Sequence, residues 1–240
     1  MPRRCSAAAR LPAGQMDIHP ASPLAPARDF VDRHGGFFPE RRRPAPDRAV
    51  RAHDLVRRDM LVLLCRSVIE RHIPGDFAEL GVYQGLTARL FHHYAPDRRL
   101  HLFDTFEGFD ARDVRAERAT TGLAATTHMF GDTDPDAVRR YIAPQNDQVV
   151  FHVGFFPDSV PDELRARRFA LVHLDADLYG PTLAGLEFFY PRVEPGGFLV
   201  IHDYNAWAGA RQAVETFMDG RPEVIVPMPD KSGSALIVRQ

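Results

Sequence analysis

The 240-residue sequence has little cysteine, no long apolar run and almost no excess charge. Its two cysteines, Cys5 and Cys65, exclude a disulfide-rich scaffold and a zinc site built from cysteines, and they favour a reducing cytoplasm. No stretch reaches the ~20 uninterrupted apolar residues that a membrane-spanning helix needs, so we expect no membrane partner. The net charge of -2 gives no electrostatic reason to expect nucleic acid as a partner. These absences exclude several classes of protein and identify no function.

The first fifty residues differ from the rest in composition. They hold 8 of the 20 prolines, and stretches such as residues 40–47 have no apolar period. A segment of this kind buries too little apolar surface to offset its chain entropy. We therefore expect residues 1–50 to form a flexible or partly docked N-terminal arm and residues 51–240 to form one folded domain. Whether the chain forms a homodimer or a higher homo-oligomer stays open.

From residue 54 onward, short apolar runs alternate with segments of helical period. Helices are expected at 54–70, 87–94, 135–141, 182–190 and 210–218, and strands at 77–81, 100–104, 149–153, 169–175 and 197–201. Two β-rich segments, 224–226 and 234–239, close the chain with no helix between them. Alternating strands and helices form a parallel sheet with helices on both faces, whereas strands joined without a helix run antiparallel. We therefore predict an α/β fold with a seven-stranded, mostly parallel sheet and an antiparallel last strand. The polar stretch 110–134 has no clear period and is expected to be a loop that acts as a lid or binds substrate.

Polar residues cluster at the predicted carboxyl ends of the strands, where ligands bind in sheets of this kind. The run Glu79-Leu-Gly-Val-Tyr-Gln-Gly85 lies at the turn from the first strand to its helix, and Asp104 ends the second strand. Glycines at such a turn let the backbone approach a ligand, although they are also common packing devices. The helix N-terminus favours an anion, and a carboxylate such as Glu79 can pair with an ammonium group. Together these features favour a cofactor of the nucleoside type.

Several longer blocks resemble one family. They are Phe103-Asp-Thr-Phe-Glu-Gly-Phe109, Gly154-Phe-Phe-Pro-Asp-Ser159, His173-Leu-Asp-Ala-Asp-Leu-Tyr179 and Pro195-Gly-Gly-Phe-Leu-Val-Ile-His-Asp-Tyr204. In this order, over roughly residues 54–240, they resemble the macrocin O-methyltransferase family. The resemblance implies a Rossmann-like class I methyltransferase domain with S-adenosylmethionine as its cofactor. It also implies methyl transfer to a hydroxyl of a small molecule, often a natural-product sugar, assisted by a divalent cation that is usually magnesium.

The resemblance assigns roles by position. The implied cofactor contacts are Glu79, Gly81, Tyr83, Gly85 and Thr87 at the amino-acid part, Asp104, Thr105 and Phe106 at the ribose, Gly154, Phe155 and Phe156 near the adenine, and Asp175. Asp175 and Asp203 match acidic metal-ligand positions, and His202 stands where most relatives have aspartate. Imidazole suits zinc, iron or nickel better than magnesium, which prefers oxygen. We expect Asp175, His202 and Asp203 as metal ligands and Asp175 and His202 as catalytic groups, with His202 or a carboxylate as the base.

The sequence also allows other roles for single residues and other functions for the chain. His173 lies inside an apolar strand and is expected to be a core residue, and Asp177 is expected to cap the following helix. A nicotinamide-dependent oxidoreductase is an alternative, although its turn typically reads Gly-x-Gly-x-x-Gly and this chain has Glu-x-Gly-x-x-x-Gly. A non-catalytic S-adenosylmethionine-binding protein is a second alternative. The joint presence of Glu79, Asp104, Asp175 and Asp203 argues against it.

Overall fold

The computed structural model describes residues 54–142 and 147–240. The predicted N-terminal arm at residues 1–50 lies outside these ranges, so the division into an arm and a domain stays a prediction. Within the described ranges, the helices are α1 (Leu55–Glu70), α2 (Leu86–Tyr94), α3 (Ala111–Thr121), α4 (Pro135–Ile142), α5 (Tyr179–Phe189) and α6 (Ala208–Met218). None of these helices combines the length and the apolar composition needed to cross a bilayer.

The strands form one sheet that confirms the predicted fold. They are β1 (Asp76–Leu80), β2 (Leu100–Asp104), β3 (Val149–Val153), β4 (Phe169–Leu174), β5 (Val193–Ile201), β6 (Val226–Pro227) and β7 (Ala235–Val238). Among the described residues the sheet has seven strands in the order β3-β2-β1-β4-β5-β7-β6. The first five strands are parallel, and β7 runs antiparallel to both of its neighbours. All six residues of β4 are buried, as expected for a central strand covered on both faces.

The strand order reverses between β1 and β4, and polar residues gather at the carboxyl ends of the strands around this reversal. In the register of these two strands, Glu79 stands beside His173. Just beyond the strand ends, the Asp175 N–H donates to the Leu80 carbonyl and the His202 N–H donates to the Leu174 carbonyl, both at 2.8 Å. The carboxyl ends of β1, β4 and β5 therefore present their polar residues side by side. In sheets of this kind the crevice at such a switch point binds the ligand.

Helix α3 corrects the prediction of a loop across residues 110–134. Asp110 caps its first turn by accepting a hydrogen bond from the Arg112 N–H, and Gly122 ends it with a φ of 75°. Its inward face carries Glu117, which is 0% exposed, rather than an apolar stripe. Hydrophobic periodicity could not reveal such a helix. The aspartate and glycine at its two ends are the signals that could have done so.

Asp177 does not cap the following helix, which corrects a second prediction. Helix α5 begins at Tyr179, and its N-cap residue, Leu178, makes no side-chain capping bond. The Tyr179 N–H instead donates to Glu117 Oε2 at 2.8 Å. Glu117 also lies against Gly209 in the first turn of α6, where an added Cβ would stand 2.1 Å from the same oxygen. A buried carboxylate from α3 thus lies at the starts of two helices, where the helix dipoles favour negative charge.

Candidate active site

A cavity of about 300 Å³ opens at the carboxyl ends of the parallel strands, around the switch point. The predicted site residues that line it are Glu79, Gly81, Tyr83, Thr87, Asp104, Thr105, Gly154, Phe155, Phe156, Asp175, His202 and Asp203. Gly85 and Phe106 do not line it. The structure therefore brings most of the predicted side chains to one cavity, although they come from five separate strand ends.

The two glycines of the first turn have different neighbours. A Cβ on Gly81, where φ is 86°, would stand 1.9 Å from the Asp175 carbonyl oxygen, so this glycine lets β1 and β4 stay paired at the switch point. A Cβ on Gly85 would meet Val138 at 2.8 Å and Ile142 at 3.0 Å. Gly85 thus allows α4 to pack against the start of α2. Gly85 is not among the residues that line the cavity, and its predicted cofactor contact stays a prediction.

Asp104 organises the loops around it. Its Oδ2 accepts hydrogen bonds from the Val82 N–H at 2.7 Å and the Tyr83 N–H at 2.8 Å, and its Oδ1 accepts one from the Phe106 N–H at 2.7 Å. A carboxylate has about four acceptor positions, so part of its capacity remains for a ligand hydroxyl. The Phe106 ring packs toward Phe151 in the core, with 6.0 Å between the ring centroids, which is why it does not reach the cavity.

Glu79 and His173 form a buried pair at the bottom of the cavity. His173 Nδ1 lies 3.1 Å from Glu79 Oε1, and both side chains are almost fully buried, which confirms the core position expected for His173. Burial lowers the pKa of His173 to about 3. Burial, together with the charges of Asp175 and Asp104, raises the pKa of Glu79 well above its usual range. Glu79 Oε2 is buried and has no hydrogen-bond partner among the described residues, so it is available to a ligand.

A compact charged cluster lies on the β4 and β5 side of the cavity. His202 Nδ1 lies 2.7 Å from Asp175 Oδ1 and 3.3 Å from Asp203 Oδ1. Arg57 NH1, from the first turn of α1, lies 2.7 Å from His202 Nε2 and 3.5 Å from Asp175 Oδ2. With Nδ1 donating to Asp175, Nε2 is the ring nitrogen that accepts from Arg57. Sequence reasoning missed Arg57, because the pattern of α1 does not show which of its polar residues faces the sheet.

The two central groups of this cluster shift each other's proton affinity. Burial alone would lower the pKa of His202, but the adjoining Asp175 carboxylate raises it above its ordinary value. Burial alone would raise the pKa of Asp175, but the His202 imidazole and the Arg57 guanidinium hold it below its usual range. The carboxylate form of Asp175 is therefore favoured.

The three predicted metal ligands are close enough to share one ion. One donor atom each from Asp175, His202 and Asp203 lie within 4.8 Å of one another. Asp203 Oδ1 is buried and makes no hydrogen bond within the described ranges, so a cation could satisfy it. Two carboxylates and an imidazole are a donor set that divalent ions accept. The residues present thus fit a divalent cation in kind and in spacing.

Two acidic side chains beside the cluster were not predicted as site residues. Asp177 lines the cavity with a φ of 58°, and burial together with the Asp175 charge and a hydrogen bond to Asp203 raises its pKa well above the usual range. Asp113, from α3, also lines the cavity, and burial raises its pKa to about 6. Asp113 was hidden because α3 itself was not predicted.

Aromatic rings form one wall of the cavity. The Phe130 ring lies 5.4 Å from the Tyr83 ring and 5.4 Å from the Phe109 ring, centroid to centroid, and all three residues line the cavity. Trp207 packs edge-on against Phe109 at 6.0 Å and supports this wall from behind. Aromatic faces beside acidic groups suit a ligand with both apolar and hydroxylated surfaces.

Comparisons with known proteins show what the chain is similar to in sequence and in fold. The family profile described as Macrocin-O-methyltransferase (TylF) matches residues 27–230. A curated relative from Streptomyces olivaceus, 8-demethyl-8-(2,3-dimethoxy-alpha-L-rhamnosyl)-tetracenomycin-C 4'-O-methyltransferase, is 32% identical over 201 residues, 78% of this chain and 76% of the relative. The Mycinamicin III 3''-O-methyltransferase of Micromonospora griseorubida is 30% identical over 199 residues, 76% of this chain and 77% of the relative. The solved structure of the O-methyltransferase NovP has the same fold, with a TM-score of 0.68 at 24% identity over 89% of this chain and 88% of that one.

Proposed function

The chain belongs to the macrocin-O-methyltransferase family, and from this premise we propose that it transfers the methyl group of S-adenosylmethionine to a hydroxyl of a small natural-product acceptor. The observation that carries the proposal is the shared cavity, where most of the predicted cofactor residues and the His202–Asp175 pair meet. Both curated relatives are named as O-methyltransferases of natural products, and one name includes a rhamnosyl group. A sugar-bearing acceptor is accordingly the class we propose. A cytoplasmic location stays a prediction, and the oligomeric state stays open.

The proposed cofactor site uses atoms that the fold leaves available. The ammonium group of S-adenosylmethionine would pair with Glu79 Oε2, a buried oxygen with no other partner in the described part of the chain. The carboxylate of the cofactor would face the turn before α2, near Gly81, Tyr83 and Thr87. The remaining acceptor capacity of Asp104 would serve the ribose, beside Thr105. Gly154, Phe155 and Phe156 would lie along the adenine.

Methyl transfer from a sulfonium requires alignment of the acceptor oxygen with the methyl group and removal of its proton. Asp175 fixes the His202 ring through Nδ1, so Nε2 is the proposed proton acceptor. Nε2 accepts from Arg57 in this structure, and it becomes available to the acceptor hydroxyl when the guanidinium moves away. A divalent cation held by Asp175, His202 and Asp203 would, when bound, lower the pKa of the acceptor hydroxyl. A neutral imidazole has one lone pair, so His202 can take a proton or hold a metal ion, and these roles exclude each other at any one moment.

A calorimetric titration of the full chain with S-adenosylhomocysteine and, separately, with NAD tests the cofactor. We expect low-micromolar binding of S-adenosylhomocysteine and no measurable binding of NAD. Tight NAD binding without S-adenosylhomocysteine binding would favour the oxidoreductase instead.

A pair of matched variants locates the cofactor within the cavity. The ammonium group would favour the ionised form of Glu79 against the effect of burial, and an amide has no ionised form. Glu79→Gln should therefore weaken S-adenosylhomocysteine binding roughly tenfold. Glu187→Gln, on an exposed position of α5, is the control and should change nothing. Equal affinities for both variants would remove Glu79 from the site.

A further inference from the structure

Arg57 contacts two of the three proposed metal ligands, Asp175 and His202. Its NH1 is 2.7 Å from His202 Nε2 and 3.5 Å from Asp175 Oδ2, and its side chain is 19% exposed. His202 Nδ1 and Asp175 Oδ1 are already bound to each other at 2.7 Å. Both ring nitrogens of His202 and both oxygens of Asp175 therefore have partners in this arrangement. Asp203 Oδ1 is the buried oxygen of the three candidate ligands that has no hydrogen bond to any residue in the described part of the chain.

The position of Arg57 is fixed by its own helix start. Asp54 Oδ1 accepts hydrogen bonds from the Val56 N–H at 2.9 Å and the Arg57 N–H at 3.2 Å. The other oxygen, Oδ2, accepts one from the Lys231 N–H at 2.6 Å. Lys231 lies shortly before β7, which pairs with β5, the strand that leads into His202. Arg57 and His202 are thus held relative to the same edge of the sheet, and their contact is a property of the fold.

The guanidinium and a divalent ion cannot use these donors together. An ion binds oxygen or nitrogen ligands at about 2.0–2.6 Å, so an ion shared by Asp175 and His202 would lie within a few ångströms of Arg57 NH1. The guanidinium is always charged, and two cations at that distance repel each other strongly away from bulk water. Binding of the ion at either ring nitrogen would also end the hydrogen bond from Arg57 to His202. An ion at Nε2 would take the lone pair that accepts from Arg57, and an ion at Nδ1 would leave the ring proton on Nε2, which could then no longer accept.

We propose that Arg57 is a resident competitor of the divalent cation, so that the ion binds only when the guanidinium leaves Asp175 and His202. The proposal rests on the metal role proposed above for Asp175, His202 and Asp203. In this account Arg57 keeps the acidic cluster paired in the protein without the ion. It also makes the affinity for divalent ions weaker than the ligands alone would give.

The test is a Mn²⁺ titration of the full chain without acceptor, followed by electron paramagnetic resonance of the free ion. Arg57→Met keeps the length of the side chain and removes its charge, and it should tighten Mn²⁺ binding roughly tenfold or more. Arg57→Lys keeps the charge and should stay within a few-fold of the wild type. Arg165→Met removes one positive charge from a remote, exposed ion pair with Asp162 and is the control for net charge.

The outcomes separate this inference from the proposed function. A tighter Mn²⁺ affinity in Arg57→Met, with Arg165→Met unchanged, supports the competition. Equal affinities in wild type and Arg57→Met, or a gain of the same size in Arg165→Met, overturn it. S-adenosylhomocysteine binding and the melting temperature are measured on the same samples. If these are normal while Mn²⁺ affinity does not respond, the competition fails and the methyltransferase proposal stands.

Discussion

Replacing Gly81 with alanine should damage both the fold and the cofactor site, because the added Cβ would stand 1.9 Å from the Asp175 carbonyl oxygen. Side chains essentially never approach a backbone oxygen more closely than 3.0 Å, so the ends of β1 and β4 would have to separate by about 1 Å. That movement would break the neighbouring hydrogen bond from the Asp175 N–H to the Leu80 carbonyl. It would also displace Asp175 from His202.

Gly122 supplies the matched control. Its φ of 75° is close to the 86° of Gly81, but no atom of the described residues lies within 4 Å of an added Cβ. Both variants pay about 1 kcal/mol for alanine at positive φ. Gly81→Ala additionally loses a backbone hydrogen bond, worth about 1 kcal/mol, and acquires packing strain of about 1–3 kcal/mol. We therefore expect a loss of about 1 kcal/mol for Gly122→Ala and of about 3 kcal/mol or more for Gly81→Ala.

Urea denaturation gives the free energy of unfolding of each variant, and calorimetry gives its affinity for S-adenosylhomocysteine. Gly122→Ala should bind like the wild type, whereas Gly81→Ala should lose most of its binding. Equal losses of stability in the two variants, with binding retained in both, would refute the reasoning about the switch point.

Further predictions concern a helix cap, a buried carboxylate, a titrating aspartate and the metal ligands. Asp54→Ala should cost about 1–2 kcal/mol at pH 7, because it removes the cap of α1. Burial would raise the pKa of Asp54, but hydrogen bonds from Lys231, Arg57 and Val56 lower it. The loss of stability in Asp54→Ala should therefore be full above pH 4. In thermal melts it should shrink as the pH falls through that lowered pKa. Glu117→Ala should lower the free energy of unfolding by about 2–4 kcal/mol in urea denaturation, because it leaves the Tyr179 N–H at the start of α5 without its acceptor. A loss no larger than that of Glu187→Ala would argue against this role. Burial raises the pKa of Asp113 to about 6, so its contribution to stability is lost as the pH rises through 6. Asp113→Asn should therefore raise the melting temperature at pH 8 more than at pH 4. A difference in melting temperature between variant and wild type that does not change with pH would contradict this. His202→Asp should shift calorimetric ion preference toward Mg²⁺, because it supplies oxygen in place of nitrogen; unchanged preference would remove His202 from the ligand set.

The sequence predicted the parts of the site that follow directly from strand ends. Glu79, Asp104, Asp175 and His202 each end or follow a short apolar run, and parallel strands bring their carboxyl ends to one edge. Their meeting could therefore be predicted without knowing a single side-chain contact.

The sequence could not predict features that depend on how the helices pack. Arg57 and Asp113 reach the cavity from α1 and α3, and the orientation of a helix is set by its tertiary contacts. Helix α3 itself buries Glu117 in place of an apolar stripe, so its period was not visible. The packing of Gly85 against α4 could not be predicted either, because α4 is distant from it in sequence.

The most direct test of the account is a crystal structure of the chain with S-adenosylhomocysteine. The account predicts the ligand in the cavity at the ends of β1 and β4, with its ammonium group within hydrogen-bond distance of Glu79 Oε2 and its ribose at Asp104. Its sulfur should face the cluster of Asp175 and His202. A ligand bound elsewhere, or one in this cavity that leaves Glu79 and Asp104 untouched, would contradict the account.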